Sequence, residues 1–177
     1  MGFSGLDHVG FAVSSLDRSV EWYSKFLEAP PVLRKVWDVE YIARMLRIPG
    51  VKIECAFWEL PGGTTLELIE YLEPQPGIVD MATQNAGNGH LCLTVDDLDE
   101  VLARLARELG VVGVDAVEIP WGPYAGGKGC YLPDPDGISI QLMQLAPGGA
   151  QFAALVSARF IETGRTITSR RTRRSAK

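Results

Sequence analysis

The sequence contains two histidines, and each begins the same kind of segment. His8 lies in residues 6–17 and His90 in residues 88–99. In both segments an alternating apolar run follows the histidine, and an acidic turn then leads into an amphipathic helix. An imidazole can bind a divalent metal ion or transfer a proton near neutral pH. The equivalent positions therefore indicate a shared functional site, and two satisfied structural histidines are the alternative.

A carboxylate and an amide occupy a second pair of equivalent positions. Residues 63–70 align with residues 137–144 as the last strand of each copy, so Glu67 in the first copy is equivalent to Gln141 in the second. Glu67 lies inside an otherwise apolar run, where an unpaired carboxylate would be costly to bury. The alignment therefore places Glu67 and Gln141 at equivalent positions of the two last strands.

The hydrophobic pattern predicts the elements that position these residues. Alternation predicts strands and helical spacing predicts helices, with caps at Ser14 or Ser15 and at Asp96. The predicted order in each copy is one strand, one helix and three strands. The predicted strands are 8–13, 32–37, 51–60 and 64–71 in the first copy, and 90–95, 111–119, 128–132 and 138–144 in the second.

This pattern predicts an α+β fold built from two tandem βαβββ modules. The first module covers residues 5–72 and the second covers residues 89–146, with a polar linker at 73–88. Residues 147–177 are predicted to form a C-terminal helix followed by a basic tail.

Composition and charge exclude several classes of protein. The chain has 177 residues, 46% of them hydrophobic, and a net charge of −5, which is typical of a globular protein without a general basic surface for nucleic acid. Nucleic acid is not expected as a partner despite the basic tail. We find no secretory signal and no membrane span, so a cytoplasmic protein is expected. The three cysteines, Cys55, Cys92 and Cys130, are predicted to be buried.

Four short motifs, taken in order and in duplicate, resemble the vicinal oxygen chelate superfamily. This superfamily includes glyoxalase I, methylmalonyl-CoA epimerase, extradiol dioxygenases and bleomycin resistance proteins, and the first two are the most similar in pattern. The resemblance covers residues 5–146 and implies a mixed, half-barrel sheet around a central cavity. The motifs are Leu6-Asp7-His8-Val9, Leu66-Glu67-Leu68, Gly89-His90-Leu91, and Asp134-Pro135-Asp136-Gly137 followed by Gln141.

The resemblance implies four metal ligands, His8, Glu67, His90 and Gln141. Such a set suits a divalent cation such as Zn, Ni, Co, Mn or Fe(II), without choosing among them. Gln141 departs from the family pattern, which commonly has Glu there. Because an amide cannot accept a proton at neutral pH, Glu67 is the only ligand that could also act as the catalytic base.

The expected activity is that of a metal-dependent lyase or isomerase of glyoxalase type. It would act by proton abstraction next to a metal-bound carbonyl of a small organic substrate. An epimerase usually needs two bases, and the amide at Gln141 therefore argues against an epimerase among these activities. The alternatives are an extradiol-type Fe(II) dioxygenase and a non-catalytic, resistance-type binding protein. A homodimer is expected, and the metal site could form within one chain or across two.

Four further residues are candidates for the substrate pocket. Arg44 and Arg47 could hold an anionic part of a substrate, or they could be ordinary surface arginines. Trp58 could line the pocket or belong to the core. Trp121 lies in the Gly-rich loop 120–127, which could be a mobile lid or a plain hairpin connection.

Overall fold

A computed structural model of the chain describes residue 2 and residues 4–149. The predicted C-terminal helix and basic tail therefore lie outside the described residues, apart from residues 147–149. The elements, in order, are β1 (His8–Val13), α1 (Leu16–Phe26), β2 (Leu33–Trp37), α2 (Glu40–Leu46), β3 (Lys52–Glu59), β4 (Thr65–Glu73), β5 (His90–Val95), α3 (Leu98–Leu109), β6 (Val117–Glu118), β7 (Lys128–Pro133) and β8 (Ser139–Gln144).

The strands form two four-stranded sheets with the same topology. Their orders are β1-β4-β3-β2 and β5-β8-β7-β6. In each sheet the first strand pairs in parallel with the last, and the remaining pairs are antiparallel. The prediction of an α+β fold with two tandem modules and mixed sheets is confirmed. The sheets are not closed into a barrel, and both β1 and β5 are edge strands.

Capping interactions mark the start of both long helices and the end of α3. The Ser15 side chain accepts a hydrogen bond from the backbone of Arg18 at the start of α1. Asp97 caps α3 in the same way, one residue after the predicted cap at Asp96. Gly110 then ends α3 in the left-handed conformation, which a glycine adopts at little cost. These contacts mark where α1 begins and where α3 begins and ends.

One hydrophobic core joins the two modules. It contains the apolar faces of both sheets together with α1 and α3, which contact each other. In β4, Leu66 and Leu68 are fully buried in this core, as the alternation predicts. Glu67 therefore lies on the opposite face of its sheet. The same alternation places Gln141 opposite the buried Ile140 and Leu142.

A second, smaller cluster covers the Glu67 face of the first sheet. Val51, Ile53 and Cys55 are buried there, and the residues that pack against them include Ile42 and Ala43 of α2. Phe57, which pairs with Glu67, and Ile69, two residues along β4, pack against the same cluster. The short helix α2 therefore packs beside the candidate site.

Besides the cap predicted at Asp96, two predictions about local structure are wrong. The strand predicted at 111–119 is reduced to Val117–Glu118, because Gly113 has a positive φ of 73° that interrupts extended backbone. Cys92 is exposed, unlike Cys55 and Cys130, since it alternates with the apolar residues of β5. Among the described residues, no helix is long and apolar enough to cross a membrane.

Candidate metal centre

The first half of the candidate site is the pair formed by His8 and Glu67. β1 and β4 are neighbouring parallel strands, with Gly10 paired to Glu67. His8 Nε2 lies 3.2 Å from Glu67 Oε2, and the two side chains are 44% and 15% exposed. An imidazole nitrogen and a carboxylate oxygen therefore meet at an accessible point, as two ligands of one metal ion would.

Asp7 holds the other nitrogen of the same imidazole. Its Oδ1 lies 2.7 Å from His8 Nδ1, and this hydrogen bond is the main reason why the pKa of His8 is raised above its ordinary value. Glu67 adds to the rise, while partial burial opposes it. A carboxylate behind a histidine ligand is the usual arrangement for fixing the tautomer that leaves Nε2 free for a metal.

Two small neighbours shape the space around Glu67. A side-chain carbon added at Gly10 would lie 3.3 Å from Glu67 Oε2, so the glycine keeps room for the carboxylate. The buried Cys55 thiol lies near Glu67, and burial, with the charge of Glu67, raises its pKa to about 12. Cys55 therefore stays a protonated, neutral thiol beside the carboxylate.

The second half of the candidate site contains His90 and Gln141 on the neighbouring strands β5 and β8. Cys92 pairs with Gln141 here, just as Gly10 pairs with Glu67 in the first module. Tyr131 of β7 also pairs with Gln141. Its hydroxyl lies 3.4 Å from His90 Nε2, and the two rings meet edge to face with centroids 5.3 Å apart.

Tyr131 is a site residue that the sequence reasoning missed. A signal for it was available, because the alignment that matches Glu67 with Gln141 also matches Phe57 with Tyr131. Asp7 belongs to the first of the four motifs, but the motif alone gives it no role. Its contact with His8 depends on rotamers, which the sequence pattern does not specify.

The four predicted ligands form two pairs within one chain. Across the described part of the chain, no group of three or more His, Cys, Asp and Glu side chains comes together as a metal site. His90 therefore does not complete a cluster with His8 and Glu67. The donor types still fit a divalent cation, with one imidazole and one oxygen donor in each pair.

A neighbouring acidic position shows that an amide can replace a carboxylate in this fold. Glu70 Oε2 accepts a hydrogen bond of 2.6 Å from the Leu16 amide at the start of α1. Gln144 Oε1 accepts the equivalent bond, 2.9 Å long, from the Leu98 amide at the start of α3. The Glu70 position is thus structural, whereas Glu67 faces the candidate site.

The four predicted pocket residues lie in different environments, one in the core and three on the surface. Trp58 is 1% exposed in the shared core, and its indole N–H donates to the carbonyl of Ala29, so it does not line the accessible face. Arg44 in α2 and Arg47 at its end are both exposed. Trp121 is 81% exposed in the loop that connects β6 to β7.

Comparison with known proteins identifies the family. The family model of the glyoxalase/bleomycin resistance protein/dioxygenase superfamily matches residues 5–142. The chain belongs to this superfamily, and the resemblance seen in the sequence motifs is confirmed.

Individual relatives agree with this assignment. The 2-epi-5-epi-valiolone epimerase of an Actinomyces species is 30% identical over 155 residues, which cover 85% of this chain and 84% of that protein. A glyoxalase family protein from Bacillus cereus has a TM-score of 0.68 at 24% identity, covering 83% of this chain and 97% of its own. Leishmania major glyoxalase I has a TM-score of 0.56 at 22% identity, covering 92% and 99%. At these identities the two solved structures establish the fold alone.

Proposed function

We propose that this protein is a divalent-metal-dependent isomerase that moves a proton next to the carbonyl group of a small organic substrate. The observation that carries the proposal is the His8–Glu67 pair, whose facing atoms lie 3.2 Å apart with side chains 44% and 15% exposed. The 30% identity to an epimerase favours an isomerase over a glyoxalase-type lyase. The lyase is the second candidate, and turnover of the hemithioacetal without inversion of the cyclic ketone would support it.

The proposed metal site is composite, and we define it as His8 and Glu67 of one chain with His90 and Gln141 of a second copy. The shared core lies on the other face of both sheets, so each pair of ligands faces away from it. The edge strands β1 and β5 carry the two histidines and are open to further pairing. A twofold dimer would complete two equivalent sites.

Glu67 is the proposed base. Its carboxylate is close to the His8 imidazole, and the Cys55 thiol supports it from the buried side. The carboxylate would take the proton from the carbon next to the carbonyl, leaving the electron pair shared with the carbonyl oxygen. A bound divalent cation would supply Lewis-acid stabilisation of the negative charge that develops there.

Arg44 and Arg47, on the helix beside the site, are proposed to bind an anionic group when the substrate has one.

The test combines metal content with proton exchange. The full-length protein is stripped with EDTA and reloaded in turn with Zn, Ni, Co, Mn or Fe(II). Each form is incubated in D₂O with 2-epi-5-epi-valiolone, or with the hemithioacetal of methylglyoxal and glutathione, and deuterium incorporation is followed by NMR. We expect incorporation that depends on the metal, with inversion of the cyclic ketone.

A matched pair of variants assigns the base. Glu67→Gln is expected to lower the rate at least about 100-fold with the fold retained. Glu70→Gln lies on the same strand and should keep near-normal activity, because Gln144 already makes the equivalent bond to the backbone. Folded protein that binds no metal would refute the proposal. Oxygen uptake with catechol and Fe(II) would instead support a dioxygenase.

A further inference from the structure

The proposed isomerase needs a second proton-transfer group, and the predicted ligands do not supply one. Inverting a stereocentre takes a proton from one face of a carbon and returns a proton to the opposite face. Glu67 can serve the first face. Gln141, its equivalent in the second module, is an amide that neither accepts nor releases a proton at neutral pH. The second group must therefore be another side chain.

The Tyr131 hydroxyl lies beside Gln141 and His90. Tyr131 pairs directly with Gln141 across β7 and β8, its hydroxyl is 3.4 Å from His90 Nε2, and the residue is 46% exposed. In the first module the equivalent residue is Phe57, which pairs with Glu67. The carboxylate of the first half and the phenol of the second half thus lie on different strands, β4 and β7. The first half has a carboxylate beside a phenylalanine, and the second has an amide beside a phenol.

We propose that Tyr131 is the second catalytic residue of the isomerase and delivers a proton to the face of the substrate opposite Glu67. This inference rests on the proposed function and on the composite site. Glu67 and Tyr131 belong to different halves of that site, so a substrate held between the halves has one of them on each side. If His90 binds a metal through Nε2, that nitrogen no longer accepts a hydrogen bond, and the Tyr131 hydroxyl is free to face the substrate.

The two proton transfers need no oxidant or reductant. The carbon–hydrogen bond breaks toward Glu67, which becomes protonated, and its electron pair spreads onto the carbonyl oxygen. The Tyr131 O–H bond then breaks, and a new carbon–hydrogen bond forms on the opposite face, leaving a phenolate. Glu67 releases its proton to water and the exposed Tyr131 regains one from water, which restores both groups.

The Cys92 thiol is the competing donor in the same half. It is exposed and pairs with Gln141 from β5. The His90 ring, however, meets the Tyr131 phenol both through its Nε2 atom and in an edge-to-face ring contact. Tyr131 is therefore the better placed of the two, and a variant of each separates them.

The experiment measures deuterium exchange and inversion separately in Tyr131→Phe. Each epimer of 2-epi-5-epi-valiolone is incubated in D₂O with the metal-loaded protein. We expect inversion to fall at least about 100-fold, while one epimer, whose proton faces Glu67, still exchanges at close to the wild-type rate. The Mn(II) dissociation constant, measured by calorimetry, should stay within about threefold of wild type, because the Tyr131 hydroxyl is neither a metal ligand nor a partner of the non-ligating nitrogen of His90. Tyr71→Phe removes a phenol hydroxyl from β4 and is the control for that change.

The results that contradict the inference are distinct from failure of the proposed function. Normal inversion by Tyr131→Phe, equal loss of exchange and inversion, or loss of Mn(II) binding would each overturn the role of Tyr131. Separation of exchange from inversion in Cys92→Ala would assign that role to Cys92 instead. If the wild-type protein shows no metal-dependent exchange with any substrate, the proposed isomerase itself is wrong. The Tyr131→Phe variant is expected to fold, since the first module carries Phe57 at the equivalent position.

Discussion

The hydroxyl of Tyr23 donates a 3.1 Å hydrogen bond to Oδ2 of Asp134, and this buried contact joins the first module to the second. Tyr23 lies in α1, and Asp134 lies in the turn between β7 and β8. The other carboxylate oxygen, Oδ1, accepts from the backbone amides of Asp136 and Ile138. One carboxylate therefore fixes both its own turn and the packing of the neighbouring module.

The pH dependence of stability should reveal this buried carboxylate. Burial is the largest effect on the pKa of Asp134 and raises it above the ordinary value of 3.8. The folded state then binds the proton more tightly than the unfolded state, so the contribution of Asp134 to stability falls as pH rises from about 4 through the raised pKa. The free energy of unfolding of wild type minus that of Asp134→Asn should decrease over this range.

Urea denaturation between about pH 4 and pH 7 measures that difference. Other titrating groups are shared by both proteins and cancel in the subtraction. A difference that is constant, or that grows with pH, would show that the folded-state pKa is not raised.

The sequence predicts the faces of the elements better than it predicts the contacts between them. Strict alternation places Leu66 and Leu68 in the core and Glu67 on the other face, and the structure agrees. The contacts of Asp7 with His8 and of Tyr131 with His90 depend on rotamers and cross-strand register. Those are set by the packing of distant segments, which a local pattern does not contain.

Residues 111–119 are a segment where the hydrophobic pattern predicts the wrong local structure. Their apolar content favours a strand, yet Val111 and Val114 pack on the shared core as irregular backbone. Gly113 makes this possible through its positive φ. Here the position of a single glycine outweighs the propensity of its neighbours.

If each metal site is built from two chains, two variants that are inactive alone should recover activity when they form mixed dimers. His8→Ala and His90→Ala should each lose activity in a homodimer, since every site lacks one histidine. In a mixed dimer, one site carries both changes and the other carries none. With random assembly, about half of the dimers are mixed, so co-refolded protein should recover about a quarter of the wild-type activity.

The two variants are combined in equal amounts after denaturation, and activity is compared with each variant refolded alone. The double variant His8→Ala/His90→Ala, refolded with wild type, controls for dilution and exchange of subunits. A site contained within one chain predicts no recovery in the first mixture.

Removing the carboxylate behind His8 should weaken metal binding without unfolding the protein. Asp7→Asn loses the charged acceptor that fixes the His8 tautomer, and such outer partners are typically worth about 10–100-fold in metal affinity. Asp7 is 96% exposed on its side chain, so the lower end, about 10-fold, is expected. Calorimetric titration of the stripped protein with Zn(II) gives the change.

Asp17→Asn provides the matched control for Asp7→Asn. Asp17 is also an exposed carboxylate of the first module, and its partner is Arg34 rather than a histidine. Its replacement should leave the Zn(II) dissociation constant unchanged. Equal weakening in both variants would mean that general negative charge, and not the contact with His8, supports the metal.

Gly10→Ala should lower activity while preserving stability. The added carbon would lie 3.3 Å from Glu67 Oε2 and 3.9 Å from His8 Cδ2, so the carboxylate must shift by a few tenths of an ångström. A displacement of this size at a reacting group is expected to cost about 10-fold in the rate of proton exchange. The backbone gains from the change, because Ala is favoured over Gly in a strand by about 0.5–1 kcal/mol.

Measuring proton exchange and the melting temperature of Gly10→Ala together distinguishes a site residue from a structural one. The equivalent position in β5 already holds the side chain of Cys92, so the fold accommodates one there. Lower activity with an unchanged or higher melting temperature would support a role of Gly10 in the geometry of the site. Parallel loss of activity and stability would instead make Gly10 a structural residue, and full activity would show that Glu67 tolerates the displacement.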